Sequence, residues 1–276
     1  MTFSITDAVT DGVGAVVKPP VAAAIAVFAL FNLLTAVLQE TITRGAVEFG
    51  LNLAGVTYEE ALQALAEEVA PEVPALPIII DRFDPTIGDM FPLAIGALPP
   101  IGAVIGGLLV WVVLAVLAEL VYLLAVRATA GDRFAAGRLS RLHFVLVHGL
   151  LAGLITMLLV LAGIAGGVLP GLVFAIIFTF VPQVVALEEV NAFRAIADSV
   201  GHVWNNALRI VVLGFGFFTA QFLALQAIVT AVGFVDSAWL TTIVMALLQA
   251  VFVVLWITIV TEAYLQIRTG TPPATA

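Results

Sequence analysis

Two acidic residues interrupt long apolar stretches of the sequence, where a charge is costly to place. Glu119 lies eight residues before Arg127, and Glu262 lies six residues before Arg268, so both acids stand at a similar distance from a terminal arginine. A carboxylate at the centre of a bilayer costs about 2.5–3.5 kcal/mol on the insertion scale. An acid retained at that cost is a candidate for exchanging protons or cations across a membrane.

Four more polar residues fall close to the ends of the apolar stretches. They are His148, Glu188, Glu189 and Arg209. With Glu119 and Glu262 they make up a predicted polar cluster of six residues, in which Arg209 compensates a carboxylate. Such a cluster suits a proton or cation relay, or a pocket for a lipid headgroup. The alternative interpretation is a set of interhelical ion pairs and side chains that reach the membrane boundary.

Sequence patterns typical of catalysis and metal binding are absent. The chain has no cysteine, no G-x-S-x-G, no H-E-x-x-H and no phosphate-binding P-loop. His143 and His148 are five residues apart, about 140° around a helix, so they do not clamp one metal from the same face. Ser199, three residues before His202, is expected to pack or to cap a helix. The sequence therefore predicts a protein that is not an enzyme and has no metal or cofactor.

The elements that hold these residues must be membrane helices, because the composition does not suit a soluble domain. Of the 276 residues, 62% are hydrophobic and 11% are charged, against about 25% charged in soluble domains. The net charge of −9 argues against nucleic acid as a partner, since phosphate binding needs a basic face.

Six stretches are long and apolar enough to cross a hydrocarbon core of about 30 Å. They cover about residues 19–38, 99–126, 143–164, 168–187, 210–235 and 239–267. A loop over residues 39–98 separates the first two stretches, and its acidic part suits a solvated surface in high external salt or a cation-attracting vestibule. The sequence thus predicts an all-α, polytopic membrane helical bundle that forms a single membrane domain over residues 1–276.

The basic residues predict how this bundle is oriented. If the N-terminus is inside, eight of the ten fall in inner segments, and Arg44 and Arg82 fall outside. The eight are Lys18, Arg127, Arg133, Arg138, Arg141, Arg194, Arg209 and Arg268. The positive-inside rule then predicts a multi-pass protein of the cell membrane with both termini in the cytoplasm.

Short amphipathic helices are predicted beside the spans. Residues 57–60 have the form of a capping box that starts a helix over 58–70, and residues 190–204 carry apolar side chains at helical spacing. Four arginines of the inner segments are predicted to contact anionic headgroups or a partner protein. They are Arg133, Arg138, Arg141 and Arg194. Glycines four residues apart allow close helix packing within one bundle or in a homo-oligomer.

An internal repeat is suggested by two segments 191 residues apart. Ile-Ala-Asp-Ser-Val at 196–200 echoes Ile-Thr-Asp-Ala-Val at 5–9, and the same offset pairs Arg209 with Lys18. A weaker echo at 132–143 precedes the third span. The prediction is three units, each made of an interfacial helix and a helical hairpin.

Several residues resemble the signature of a known group. They are Pro182, Glu188, the sequence Ala-Ile-Ala-Asp-Ser at 195–199, Trp204, Arg209 and the glycine-rich turn at 165–171. They resemble an uncharacterised family of six-helix prokaryotic membrane proteins, which includes the membrane domain of some glycerophosphodiester phosphodiesterases. The arginine excess and the acidic loop look similar to those of its halophilic archaeal members. The resemblance is clearest over 120–215, and it implies a fold without an established activity.

Two functions follow as predictions. The first is a membrane protein that acts through membrane lipids or a partner protein at the cytoplasmic face. The alternative is a transporter or channel for a small solute or ion, with Glu119, His148 and Glu262 along its path.

Overall fold

The computed structural model describes residues 3–57, 60, 100–131, 141–232 and 238–269. All regular secondary structure in these residues is helical, which confirms the all-α prediction. The helices are α1 (Ile5–Val16), α2 (Pro19–Leu53), α3 (Pro100–Ala130), α4 (Leu142–Ala165), α5 (Val168–Ile177), α6 (Val181–Glu188), α7 (Ala192–Trp204), α8 (Ala207–Val232) and α9 (Ala238–Thr269). Most of the predicted helix over 58–70, and both Arg133 and Arg138, lie outside the described residues.

Six segments are long and apolar enough to cross a membrane. They are Pro19–Gln39, Val104–Ala130, Leu142–Ala165, Val168–Glu188, Ala207–Ala231 and Leu240–Thr269. Each overlaps one predicted stretch, so the prediction of six helical segments long and apolar enough to span a membrane is confirmed.

Helix α2 is longer than the sequence predicted, because the loop over 39–98 was expected to begin where the span ends. The helix continues to Leu53, since no proline follows within it. It ends in a Schellman motif, in which Val56 N–H donates to the Leu51 carbonyl at 3.0 Å and Gly55 N–H donates to Asn52 at 3.2 Å. Gly55 has φ +74°, a conformation that glycine adopts without strain. The connection predicted over 39–98 therefore begins with a helical extension of the first span, up to Leu53.

The capping box at residues 57–60 is present. Thr57 N–H donates to Glu60 Oε2 at 2.8 Å, and Glu60 N–H donates to Thr57 Oγ1 at 3.2 Å. The backbone and the hydroxyl of Thr57 both hold the pKa of Glu60 below its usual value. This reciprocal pairing satisfies two donors that a helix start leaves without an intrahelical partner.

The fourth span is broken between α5 and α6. Pro182 has no N–H to offer Phe178, so Val181 N–H donates to the Phe178 carbonyl instead, at 3.1 Å. This shift removes the usual helical donor of the Ile177 carbonyl. Ser199 of α7 supplies the replacement, since its hydroxyl donates to the Ile177 carbonyl at 2.9 Å. The role of Ser199 is thus to cap a helix end.

The chain divides into two compact units, Met1–Leu30 with Val116–Ala276, and Phe31–Ala115. In the first unit, the start of the chain lies against the end of α9, because Ser4 N–H donates to Gln266 Oε1 at 2.9 Å. In the same unit α4 and α5 approach closely, since a Cβ on Gly163 would lie 2.8 Å from the Gly171 Cα.

Helices α1 and α7 share a burial pattern at the offset of 191 residues. The buried positions are Ala8, Gly12 and Ala15 in the first segment and Ser199, Val203 and Asn206 in the second. The exposed positions are Val9, Val13 and Val17 in the first and Val200, Trp204 and Leu208 in the second. This agreement supports the predicted equivalence of the two segments. Most of the third segment, at 132–143, lies outside the described residues.

Candidate functional site

One polar cluster surrounds the C-terminal end of α6, where the last helical carbonyls need donors. Arg127 of α3 donates from Nε to the Ala186 carbonyl at 2.9 Å and pairs through Nη2 with Glu189 at 3.0 Å. Glu189 has φ 53°, the left-handed conformation that ends a helix. Arg141 lies 3.7 Å from the other oxygen of Glu189. Arg127 therefore binds both the carbonyl end and the carboxylate of the same helix terminus.

The neighbouring acid, Glu188, connects α6 to α9. It accepts a hydrogen bond from the Tyr264 hydroxyl, and Arg268 Nε lies 3.0 Å from the same oxygen. Tyr264 is fully buried and packs against the rings of Phe180 and His202, the latter edge-on at 5.5 Å. Because Tyr264 and Arg268 stand one turn apart on α9, a single helix face holds Glu188.

The six-residue cluster predicted from the sequence has a different arrangement. Glu188 and Glu189 face Arg268, Arg127 and Arg141. The structure instead directs Arg209 to the backbone of the N-terminal segment, where Nη1 donates to the Phe3 carbonyl at 2.8 Å.

The two arginines that bind these acids most closely were predicted only as ends of spans. Arg127 and Arg268 each close a helix that carries a glutamate and then a tyrosine upstream. This shared order gave no indication that their partners are Glu189 and Glu188 on another helix.

Glu119 lies in a second polar group, between α3 and α4. A Cβ on Gly149 would be 3.1 Å from Glu119 Oε1 and 2.9 Å from Leu123 Cδ1, so the glycine leaves the space that the carboxylate occupies. The preceding residue, His148, donates from Nδ1 to the carbonyl of Phe144 at 2.9 Å and lies over that ring. One nitrogen of His148 is thus bound by its own helix.

Two further polar side chains extend this group towards α6. Tyr122 follows Glu119 by one turn, and its hydroxyl oxygen accepts a hydrogen bond from Gln183 Nε2 at 3.4 Å. Gln183 is fully buried, and its Oε1 has no hydrogen-bond partner among the described residues. Glu262, 2% exposed, lies on α9 two residues before Tyr264. The sequence reasoning missed Tyr122 and Gln183, because neither carries a charge.

The predicted lipid or partner contacts are described at two positions. Arg141 and Arg194 both have 68% exposed side chains, and Arg194 pairs with Asp198 on the same helix at 3.5 Å. Within the described part of the chain, no three His, Asp or Glu residues are grouped so that they could hold a metal ion.

A cleft of about 320 Å³ opens beside the Glu188 cluster, between the end of α7 and the end of α9. Its lining residues are His202, Asn205, Asn206, Ile267 and Arg268. Arg268 is the residue that the cleft shares with the cluster.

Comparison of the chain with protein families, with curated proteins and with solved structures finds no match. The resemblance to the membrane domain of glycerophosphodiester phosphodiesterases therefore stays a prediction.

Replacing Arg127 by methionine should destabilise the protein much more than the same change at Arg141. Arg127 is 10% exposed and binds both a carbonyl and a carboxylate, so its loss should lower the free energy of unfolding by about 2–3 kcal/mol. Arg141 is mostly exposed, and its loss should cost less than about 1 kcal/mol. Unfolding in mixed detergent micelles measures both, and equal losses would contradict the assignment of Arg127 as the principal cap.

Proposed function

We propose that this protein is a non-enzymatic membrane protein that acts by engaging membrane lipids at its cytoplasmic face. The observation that carries the proposal is an apolar stripe on the surface of α7. Phe193 is 70% exposed and Trp204 is 79% exposed, and Val200 lies between them on the same side of the helix. The opposite side of α7 is buried against the protein through Ala195, Ser199 and Val203.

The stripe directly precedes a membrane span in the chain. Helix α8 follows α7 after two residues, and it exposes Leu208, Val212, Phe215 and Phe222 at helical spacing. An exposed apolar surface of a span contacts acyl chains. Because Trp204 lies three residues before the start of this span, we propose that its ring contacts lipid at the membrane–water interface, a position to which tryptophan is well suited.

Charge complements this apolar surface. Arg141 and Arg194 are exposed, and exposed arginines beside a membrane attract anionic headgroups by about 1 kcal/mol each. Helix α1 and the residue that follows it offer a second, equivalent stripe of Val9, Val13 and Val17. Two such helices would hold the protein at the same leaflet, which the positive-inside rule assigns to the cytoplasm. The alternative, that a partner protein and not lipid binds this surface, stays a prediction from the sequence.

Trp204 should be quenched by brominated phospholipids in reconstituted vesicles. A protein that keeps Trp204, with Trp111, Trp239 and Trp256 changed to Phe, should respond most to bromines near the headgroup end of the acyl chain. The matched control keeps Trp111 alone, which lies inside a span and should respond most to deeper bromines. Emission of Trp204 that no brominated lipid changes would contradict the proposal.

A second candidate is the transport of a proton or small cation, and one observation favours it. Glu119, Tyr122 and Gln183, whose Oε1 has no partner among the described residues, bring oxygen atoms to one partly buried region between α3, α4 and α6. In a membrane interior such polar groups mark ion or proton pathways. The hypothesis also places Glu262 and His148 along the predicted path.

The double variant Glu119→Gln with Glu262→Gln should abolish flux if this second function is correct, because neither amide releases a proton. The measurement is proton or cation uptake by vesicles that contain the purified protein. Glu48→Gln, outside the six spans, is the control that should keep wild-type flux. Unchanged flux in the double variant would exclude the relay.

A further inference from the structure

We infer that the cleft formed by His202, Asn205, Asn206, Ile267 and Arg268 binds the phosphate group of an anionic phosphate ester. The cleft lies between the ends of α7 and α9, and its volume is about 320 Å³. That volume is at the lower end of the range for small-molecule pockets, and it accommodates a headgroup phosphate. The lining contains one permanent cation and no carboxylate, so its charge suits an anion.

Arg268 is held in place for phosphate binding by its contacts with the Glu188 cluster. Its Nε lies 3.0 Å from Glu188, which is itself fixed by the Tyr264 hydroxyl. Half of the Arg268 side chain is exposed, and among the described residues its contact with Glu188 uses only Nε of the guanidinium. A guanidinium oriented on one side by an acid presents its other N–H groups as a planar fork, which matches two phosphate oxygens.

His202 supplies a second donor to the same cavity. Its ring is fixed edge-on against Tyr264 at 5.5 Å, and its ring nitrogens form no hydrogen bond with the described residues. The amide of Asn205 donates to the Gly201 carbonyl at 3.2 Å, which keeps that side chain at the cleft. Residues with N–H donors from two different helices therefore line the same cleft.

The charges near the cleft are mostly neutralised by pairing. Glu188 faces Arg268, and Asp198 faces Arg194 at 3.5 Å. A cationic ligand would find no carboxylate in the lining, and a neutral ligand would leave the guanidinium donors without an acceptor. A phosphate oxygen satisfies these donors.

The source of the phosphate is indicated by the surface beside the cleft. Trp204 of the exposed apolar stripe directly precedes Asn205, and the exposed Leu208 follows Asn205 by three residues. A phospholipid would place its phosphate in the cleft and an acyl chain on this stripe. This choice of a lipid rests on the proposed function, whereas the phosphate site itself does not.

The experiment measures retention of phosphatidylglycerol by the full chain in neutral detergent, using native mass spectrometry. The wild-type protein should retain phosphatidylglycerol over phosphatidylcholine, and millimolar inorganic phosphate should compete. Arg268→Gln should reduce retention about tenfold. Asn205→Asp, which adds a negative charge at the cleft without touching Glu188 or Tyr264, should do the same. Arg194→Gln, outside the cleft, is the matched control and should retain wild-type binding.

Each outcome discriminates between the two proposals. Loss of retention in both cleft variants, with the Arg194 control unchanged, supports the cleft. If folded Asn205→Asp protein retains the lipid like the wild type, the cleft is overturned, while quenching of Trp204 would still support lipid engagement. Binding of inorganic phosphate without any lipid supports the phosphate site and contradicts the lipid proposal. Binding of neither probe to the wild-type protein overturns the inference.

Discussion

The hydrocarbon core of a membrane offers no water, so a spanning segment must satisfy every backbone hydrogen-bonding group from within the protein. The break in the fourth span tests this constraint, because Pro182 shifts the helical bonds and deprives the Ile177 carbonyl of its usual donor. The Ser199 hydroxyl donates to this carbonyl, and Arg127 donates to the Ala186 carbonyl near the end of α6. Both donors come from other helices, so the broken span can persist only while α3 and α7 pack against it.

The same requirement explains why charged residues gather at one end of the first unit. Arg127 and Glu189 close the terminus of α6, and Glu188 then ties that terminus to Tyr264 and Arg268 of α9. The same ion pair with Glu188 fixes Arg268 at the proposed phosphate cleft. The serine that caps Ile177 fixes α7 with Phe193 and Trp204 outward. Structural caps thus position both surfaces that we propose engage lipid.

The sequence predicted the spans well, because hydrophobic length is a local property: each of the six helical segments overlaps one apolar stretch. The capping box at Thr57 and Glu60 was readable for the same reason. The sequence could not show which arginine pairs with a carboxylate, because Arg209 and Arg127 carry the same charge and both lie near a helix end. Only the packing of α3 against α6 gives Arg127 the carboxylate, while Arg209 reaches the Phe3 carbonyl. The sequence could not show Gln183 as a polar neighbour of Tyr122 either, because that contact joins residues 61 apart.

We propose that the face formed by the end of α7 and the cleft meets the cytoplasmic leaflet. The chain contains no cysteine, so single thiols can be placed without a background. A membrane-impermeant maleimide applied to intact cells should label Glu67→Cys in the acidic segment. It should label Asn205→Cys, at the cleft, only after the membrane is permeabilised. Labelling of Asn205→Cys on intact cells, with Glu67→Cys protected, would contradict the account.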